Sequence, residues 1–280
     1  SPTPPLPYLC RTAQVRGDSG DVLSLAASPC SKDGGRLALG TSQGLLLLWR
    51  ADTAEQLASL AVSPAAVLTA APRSEAEAGG GDRSDAAEES LWVERLAWNG
   101  NGRSLAAAAG HHCAVARHSS PASDGSTQEE GAEEAAAEEE AEGRWCVEAR
   151  HEACGTVYAL ATAPCSVGLT SRVAVGAYGG VSWIDTNRAN AAGGGEGGEG
   201  GEGGEGGELE LGAAAVMCIA LSPDGTMLAA GCLDKRVRLF DLGAADASRD
   251  WVGFGAAVSS VAWSCDGQWV AAAGGRTLLV

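Results

Sequence analysis

At 280 residues the chain has room for one large domain or two small ones, and an apolar fraction of 45% is ample for a core. A net charge of −17 argues against whole-surface attraction to nucleic acid or anionic lipid, and no run reaches the roughly 18 uninterrupted apolar residues of a membrane-spanning helix. Nine cysteines without a CxxC pair, several inside apolar runs, predict reduced thiols of an intracellular protein, cytoplasmic or nuclear, rather than a disulfide framework.

The chain opens on a Pro-rich tail, residues 1–10, "SPTPPLPYLC". It has neither the basic nor the apolar region of a secretory signal. Residues 11–20 are a candidate outer strand for the first patterned unit. That unit, Val22 to Trp49, reads "VLSLAASPCSKDGGRLALGTSQGLLLLW". An alternating run predicts a half-buried strand, a Pro- and Gly-bearing turn reverses it, a small-residue strand comes next, and a second turn leads to an apolar third strand.

Beyond an acidic stretch at 70–90 the pattern returns as "VERLAWNGNGRSLAAAAGHHCAVA", from Val93, with an Asn-Gly turn in place of proline. A second acidic stretch, 119–143, separates it from "VYALATAPCSVGLTSRVAVGAYGGVSWID", from Val157. After a Gly-Gly-Glu repeat at 193–210, Val216 opens "VMCIALSPDGTMLAAGCLDKRVRLFDL". The last unit, from Val258, reads "VSSVAWSCDGQWVAAAGGRTLLV". In all five the leading valine stands seven residues before the turn anchor, and the small residues after the turn predict crowded packing near a central axis.

The three acidic stretches hold 21 of the 36 Asp and Glu, leaving the rest nearly neutral at 17 basic against 15 acidic residues. Their composition predicts disordered or frayed insert loops between units. The Gly-rich insert matches GxGxxG only through its composition, and no GK[ST] follows.

The turn "LSPDG", the strand "LAAG", Asp234 in the next turn and the ending "VRLFD" resemble the WD40 repeat family. The resemblance covers most of residues 15–280 outside the inserts, and the propeller domain is expected over 11–280. It implies an all-β propeller with five legible blades, cores near 22–50, 93–118, 157–186, 216–242 and 258–280. Seven blades are the family's commonest number, and the last copy stops one residue short of its expected signature Trp. The five are therefore expected to be part of a seven-bladed propeller, and the chain a piece of it.

The departures bear on stability. The family's Gly-His dipeptide before the first strand is missing in every copy; Gly17-Asp18 and Gly253-Phe254 hold its place in the first and last. The Trp-Asp ending survives as Trp49-Arg50, Ile184-Asp185 and Phe240-Asp241. The polar network that braces such blades is thus incomplete in all of them, and stability must lean on apolar packing between blades.

More narrowly, "LWVERLAW", "RVAVGAYGGV" and "DWVGFGAAVSSVAW" resemble a WD-repeat group of bacteria and photosynthetic organisms, some encoded beside CobW-type metal-chaperone GTPases. That likeness implies an alternative role as an accessory protein in zinc homeostasis. The metal-competent candidates are His111, His112, Cys113 and His118, which alternate along a turn and a strand and so do not converge. His151 and Cys154 precede a strand and read as packing residues rather than a catalytic pair.

Lys235, Arg236 and Arg238 form the one compact basic patch, with Arg236 and Arg238 on one face of a strand, and are a candidate partner contact. Trp98, Trp183 and Trp263 fit core positions; Trp251 and Trp269, near loop ends, are candidate exposed anchors. Asp234, Phe240, Asp241, Trp49 and Asp185 are structural signature positions. No hydrolase or metalloprotease motif is present. The expectation is a monomeric, non-catalytic scaffold that binds protein or peptide, with no cofactor, nucleic acid or membrane insertion.

Overall fold

The computed structural model describes residues 15, 19–29, 35–63, 92–119, 144–163, 172–185, 206–243 and 246–280. The tail at 1–10, the insert at 70–90, residues 120–143, residues 193–205 and the third copy's turn lie outside the described residues.

The first copy is a four-stranded meander: β1 (Val22–Ala27), β2 (Arg36–Thr41), β3 (Leu45–Arg50) and β4 (Glu55–Ala61). The second repeats it as β5 (Val93–Trp98), β6 (Ser104–Ala109), β7 (His112–Ser119) and β8 (Arg144–Glu152). The third and fourth copies share one six-stranded sheet: β9 (Val157–Thr162), β10 (Arg172–Asp185), β11 (Gly207–Leu221), β12 (Met227–Cys232), β13 (Val237–Asp241) and β14 (Asp246–Trp251). The last copy is three-stranded: β15 (Ser260–Trp263), β16 (Val270–Gly274) and β17 (Thr277–Leu279). Each strand pairs antiparallel with its neighbour in sequence, as short turn signals require.

Hydrogen bonding therefore divides the described residues into four sheets where the sequence shows five copies. The reason lies in two long strands. Fully extended, β10 would span more than about 40 Å. Yet Arg172 and Asp185, at its two ends, form a two-pronged ion pair with N···O distances of 2.9 and 2.7 Å. The strand therefore doubles back, and its register breaks between Tyr178 and Gly180, around Gly179 with φ of 96°. Only glycine adopts that φ without strain.

β11 changes partner along its length. Glu208, Leu209 and Glu210 lie opposite Ser182, Val181 and Gly180 of β10, whereas Val216 to Leu221 pair with β12. The acidic insert expected to run unstructured through Glu210 is therefore shorter, because its last residues complete a ladder. Their alternation, with Leu209 half-buried between exposed glutamates, is that of a sheet edge.

The turn chemistry matches the sequence reading. The N–H of Gly102, Gly225 and Gly267 donates to the carbonyl three residues earlier, of Asn99, Ser222 and Ser264, at 2.9, 2.9 and 3.0 Å. The Asn-Gly turn thus does the same work as Ser-Pro-Asp-Gly.

Between sheets, the core repeats one joint. A Cβ added at Gly40 would stand 2.7 Å from a γ-carbon of Val93, at Gly176 2.7 Å from one of Val216, and at Gly231 2.6 Å from one of Val258. Each leading valine presses onto the small residue of the preceding copy's second strand. In the remaining joint Ala108 takes the glycine's place, and Val157 lies in the same apolar cluster. The crowding expected of the small-residue strands is real, and the intruding atom is the next unit's valine. Apolar clusters accordingly bridge each successive pair of copies. The arrangement is that of a β-propeller: sheets in chain order, each burying a face against the next.

Candidate functional site

The candidate metal residues scatter. The rings of His111 and His112 lie 4.1 Å apart at the β6–β7 turn, with His111 Nε2 3.4 Å from Glu152 Oε1. Cys113 is buried opposite His151, and burial pushes its thiol up to about 12. His118 is at the other end of β7, its ring 5.2 Å from that of Trp145. Among the described residues no group of three or more His, Cys, Asp or Glu is suited to hold a metal ion. Alternation along β7 points Cys113 and its neighbour His112 to opposite faces.

His151 and Cys154 likewise turn to different partners. His151 Nε2 meets Ser182 Oγ at 2.7 Å, and the Cys154 thiol donates to the Tyr178 carbonyl at 3.4 Å. Desolvation lowers the His151 pKa from its ordinary value, with Glu208 and Glu152 opposing. The neutral ring and the buried Ser182 together stitch β8 to β10. No copy has the family's Gly-His dipeptide before its first strand, but this pair supplies a polar tie between successive sheets.

The basic patch is largely neutralised. Arg236 donates to Asp250 at 3.3 Å, and Arg238 grips both oxygens of Asp234, one of them at 3.1 Å. Arg238 is the chief reason that the Asp234 carboxyl lies below its ordinary range. Asp234 also accepts the Arg236 N–H at 3.3 Å, so it is both the turn former expected and an ion-pair partner. Lys235 sits in the left-handed region at φ 68°. Trp251 is half-buried against the apolar cluster of Val237, Leu239, Phe254 and Val258 rather than an exposed anchor; Trp269 is exposed.

The signature positions differ in their surroundings. Phe240 is fully buried where the family's Trp is usual, Asp241 accepts the Gly243 N–H at 2.9 Å, and Asp185 holds Arg172. Trp49 Nε1 is buried without a partner among the described residues.

Several braces carry no motif in the sequence. Arg36 and Arg172, at equivalent points of β2 and β10, donate to the glycine carbonyls of the next copy's turn, Gly102 at 3.3 Å and Gly225 at 2.8 Å. The indoles of Trp98 and Trp263 donate to Ala26 and Ala220 of the preceding copy at 3.1 and 3.0 Å. The usable signal was recurrence: each Trp stands five residues after its leading valine. Inside the turns, Ser222 and Ser264 donate to Asp224 and Asp266, a reading available from the shared Ser-x-Asp-Gly.

Sequence reasoning also missed the exposed apolar residues at one end of the sheets. Trp92, Tyr178, Met217, Leu233 and Val252 are all exposed. They occupy second-to-third strand turns, the residues leading into first strands, and the exit from β14. Tyr178 lies opposite Ala215, and the Leu233 N–H donates to the Ala215 carbonyl at 2.8 Å, which draws the third and fourth copies together there. Turn positions ordinarily favour polar residues, so Tyr178 and Leu233 were the signal.

Residues 209–241 and 249–280 match the family model "WD domain, G-beta repeat". No curated protein matches the chain. The narrower likeness to the CobW-associated group, and the zinc role drawn from it, have no support among these comparisons.

Proposed function

The chain carries repeats of the WD40 family, and on that premise we propose that it is a non-catalytic scaffold binding a protein or peptide through the strand-end face. The observation that carries this reading is the set of large apolar side chains at Trp92, Tyr178, Met217, Leu233 and Val252, all exposed at one end. Large apolar groups left exposed cost solubility unless a partner covers them. Aromatic anchors such as Trp92 and Tyr178 are what protein interfaces favour.

We read the scaffold as five blades. The ion pair across β10 and the partner change along β11 support dividing the six-stranded sheet into two. The seven-bladed whole rests on family likeness alone.

The test is affinity purification with quantitative mass spectrometry on the Tyr178→Ser/Leu233→Asp double variant. Trp269→Ser, an exposed change in the last copy away from this face, is the control. Partners recovered by wild type and control but lost from the double variant are expected. The same partners from all three would overturn the choice of face.

A further inference from the structure

Tyr178 and Leu233 stand at one corner of the strand-end face, where the third and fourth copies meet. Tyr178 lies opposite Ala215 in register, and the Ala215 carbonyl accepts the Leu233 N–H at 2.8 Å. The two side chains are 50% and 54% exposed. Both copies pack against a sheet on either side, so this exposure is independent of the ends of the array.

The two flanks of this corner carry opposite charge. On the third-copy side Glu208 and Glu210 are exposed on β11, opposite Ser182 and Gly180 just beyond the Tyr178 turn. The Cys154 thiol belongs to the same corner, since it donates to the Tyr178 carbonyl. Burial first, then Glu208 and to a lesser degree Glu210, push that thiol above its ordinary value, which places both carboxylates near it. No Arg or Lys among the described residues forms an ion pair with either glutamate.

On the fourth-copy side the balance is positive. Asp234 and Asp250 are committed to Arg238 and Arg236, at 3.1 and 3.3 Å. That leaves Lys235, exposed in the Leu233 turn, and Arg249, exposed on β14, with no carboxylate partner among the described residues. Exposed charges are screened beyond about 8 Å in physiological salt, so the acidity of the chain as a whole does not cancel this local excess.

We propose that this corner binds an extended peptide carrying a large apolar residue with basic residues on one side of it and acidic residues on the other. The apolar side chain lies against Tyr178 and Leu233, the bases face Glu208 and Glu210, and the acids face Lys235 and Arg249. Charge complementarity selects this occupant, because a wholly acidic or wholly basic segment is repelled on one flank. The apolar contact supplies most of the affinity, whereas the flanking charges set orientation and exclude wrong partners. This ligand chemistry rests on the strand-end face being the binding surface, as proposed above.

The probe is a random dodecapeptide library displayed on phage and selected on the full chain at physiological salt. Recovered sequences should carry one large apolar residue with Lys or Arg on one side and Asp or Glu on the other. Fluorescence anisotropy then measures the best peptide, synthesised, against Glu210→Lys, Lys235→Asp and Arg249→Glu, each checked for folding by circular dichroism. Aspartate at 235 tolerates the left-handed backbone there. Each variant should weaken binding roughly fivefold, and reversing the peptide's matching charge should restore it. Binding that is lost in Tyr178→Ser/Leu233→Asp but indifferent to all the charge variants overturns the proposal and leaves the face standing. Peptides that still bind Tyr178→Ser/Leu233→Asp overturn the choice of face itself. Recovery of uniformly acidic sequences, of uniformly basic ones, or of none also overturns the proposal.

Discussion

The first sheet, β1–β4, and the strands from Val216 through β14 are built on the same plan and held by different means. The later unit has the polar turn of Ser222, Asp224 and Thr226, and the Asp234–Arg238 pair closing its second turn. In the first sheet the second turn is Thr-Ser-Gln-Gly and the third strand is Leu-Leu-Leu-Leu-Trp-Arg, with Leu46, Leu47 and Leu48 all buried. Both press a glycine against the next copy's leading valine. The family model matches the later region and not the earlier. Matching thus follows turn chemistry, whereas folding of the array follows the valine–glycine joint.

The widest break in this comparison is a core truncation on each side. Phe240→Ala should cost about 4 kcal/mol and Leu46→Ala about 3 kcal/mol, both read from urea denaturation. A loss at Leu46 no larger than that of a surface change would mean that the first sheet is not part of the cooperative core. Overpacking the joint comes next. Gly231→Val and Gly40→Val should each lose about 2–3 kcal/mol, because the new side chain meets the valine across the joint and, at Gly40, the Val93 carbonyl as well. If Gly40→Val were silent, the joint would not be common to the two regions.

The polar difference should show as a smaller, one-sided effect. Ser222→Ala removes the donor to Asp224 and the acceptor of the Met227 N–H, and should cost about 1 kcal/mol. Folded-state values for Asp224 and Asp234 lie below 3.8, chiefly through Ser222 and Arg238 respectively. Their stabilisation is therefore complete above 3.8 and is lost as pH falls through the lower folded values. Asp234→Asn should lower the midpoint at neutral pH and flatten the acid limb. Hydrogen exchange should place that acid loosening in β12–β14, leaving β1–β4 unchanged.

The smallest expected effect is at His151. Its folded value is depressed below 6.5, so neutral solution shows no linkage, and stability declines as pH drops from 6.5 to the folded value. His151→Gln should remove that decline between these limits in the urea midpoint, and an unchanged slope would show that burial of the His151 ring is not its cause.

Strand order, the turns and the five starts were legible in the sequence because they depend on local chemistry: alternation, Asn-Gly and Ser-Pro-Asp-Gly reversals, and small residues after each turn. The incomplete family bracing was legible for the same reason. Trp251 was misjudged because its position near a loop end says nothing of the neighbour that covers it. The basic patch looked available since Asp250 lies far along the chain from Arg236.

The sequence by itself determined the repeating strand–turn–strand unit and its apolar faces, since alternation and turn residues act within a few positions. Only the tertiary structure decided which small residue receives which valine, where Glu208 to Glu210 pair, and which equivalent residues end in the core or in water. Val22 and Val258 have the same local setting and differ in exposure by 44% against 0%. That difference comes from the presence or absence of a neighbouring sheet, which no local pattern encodes.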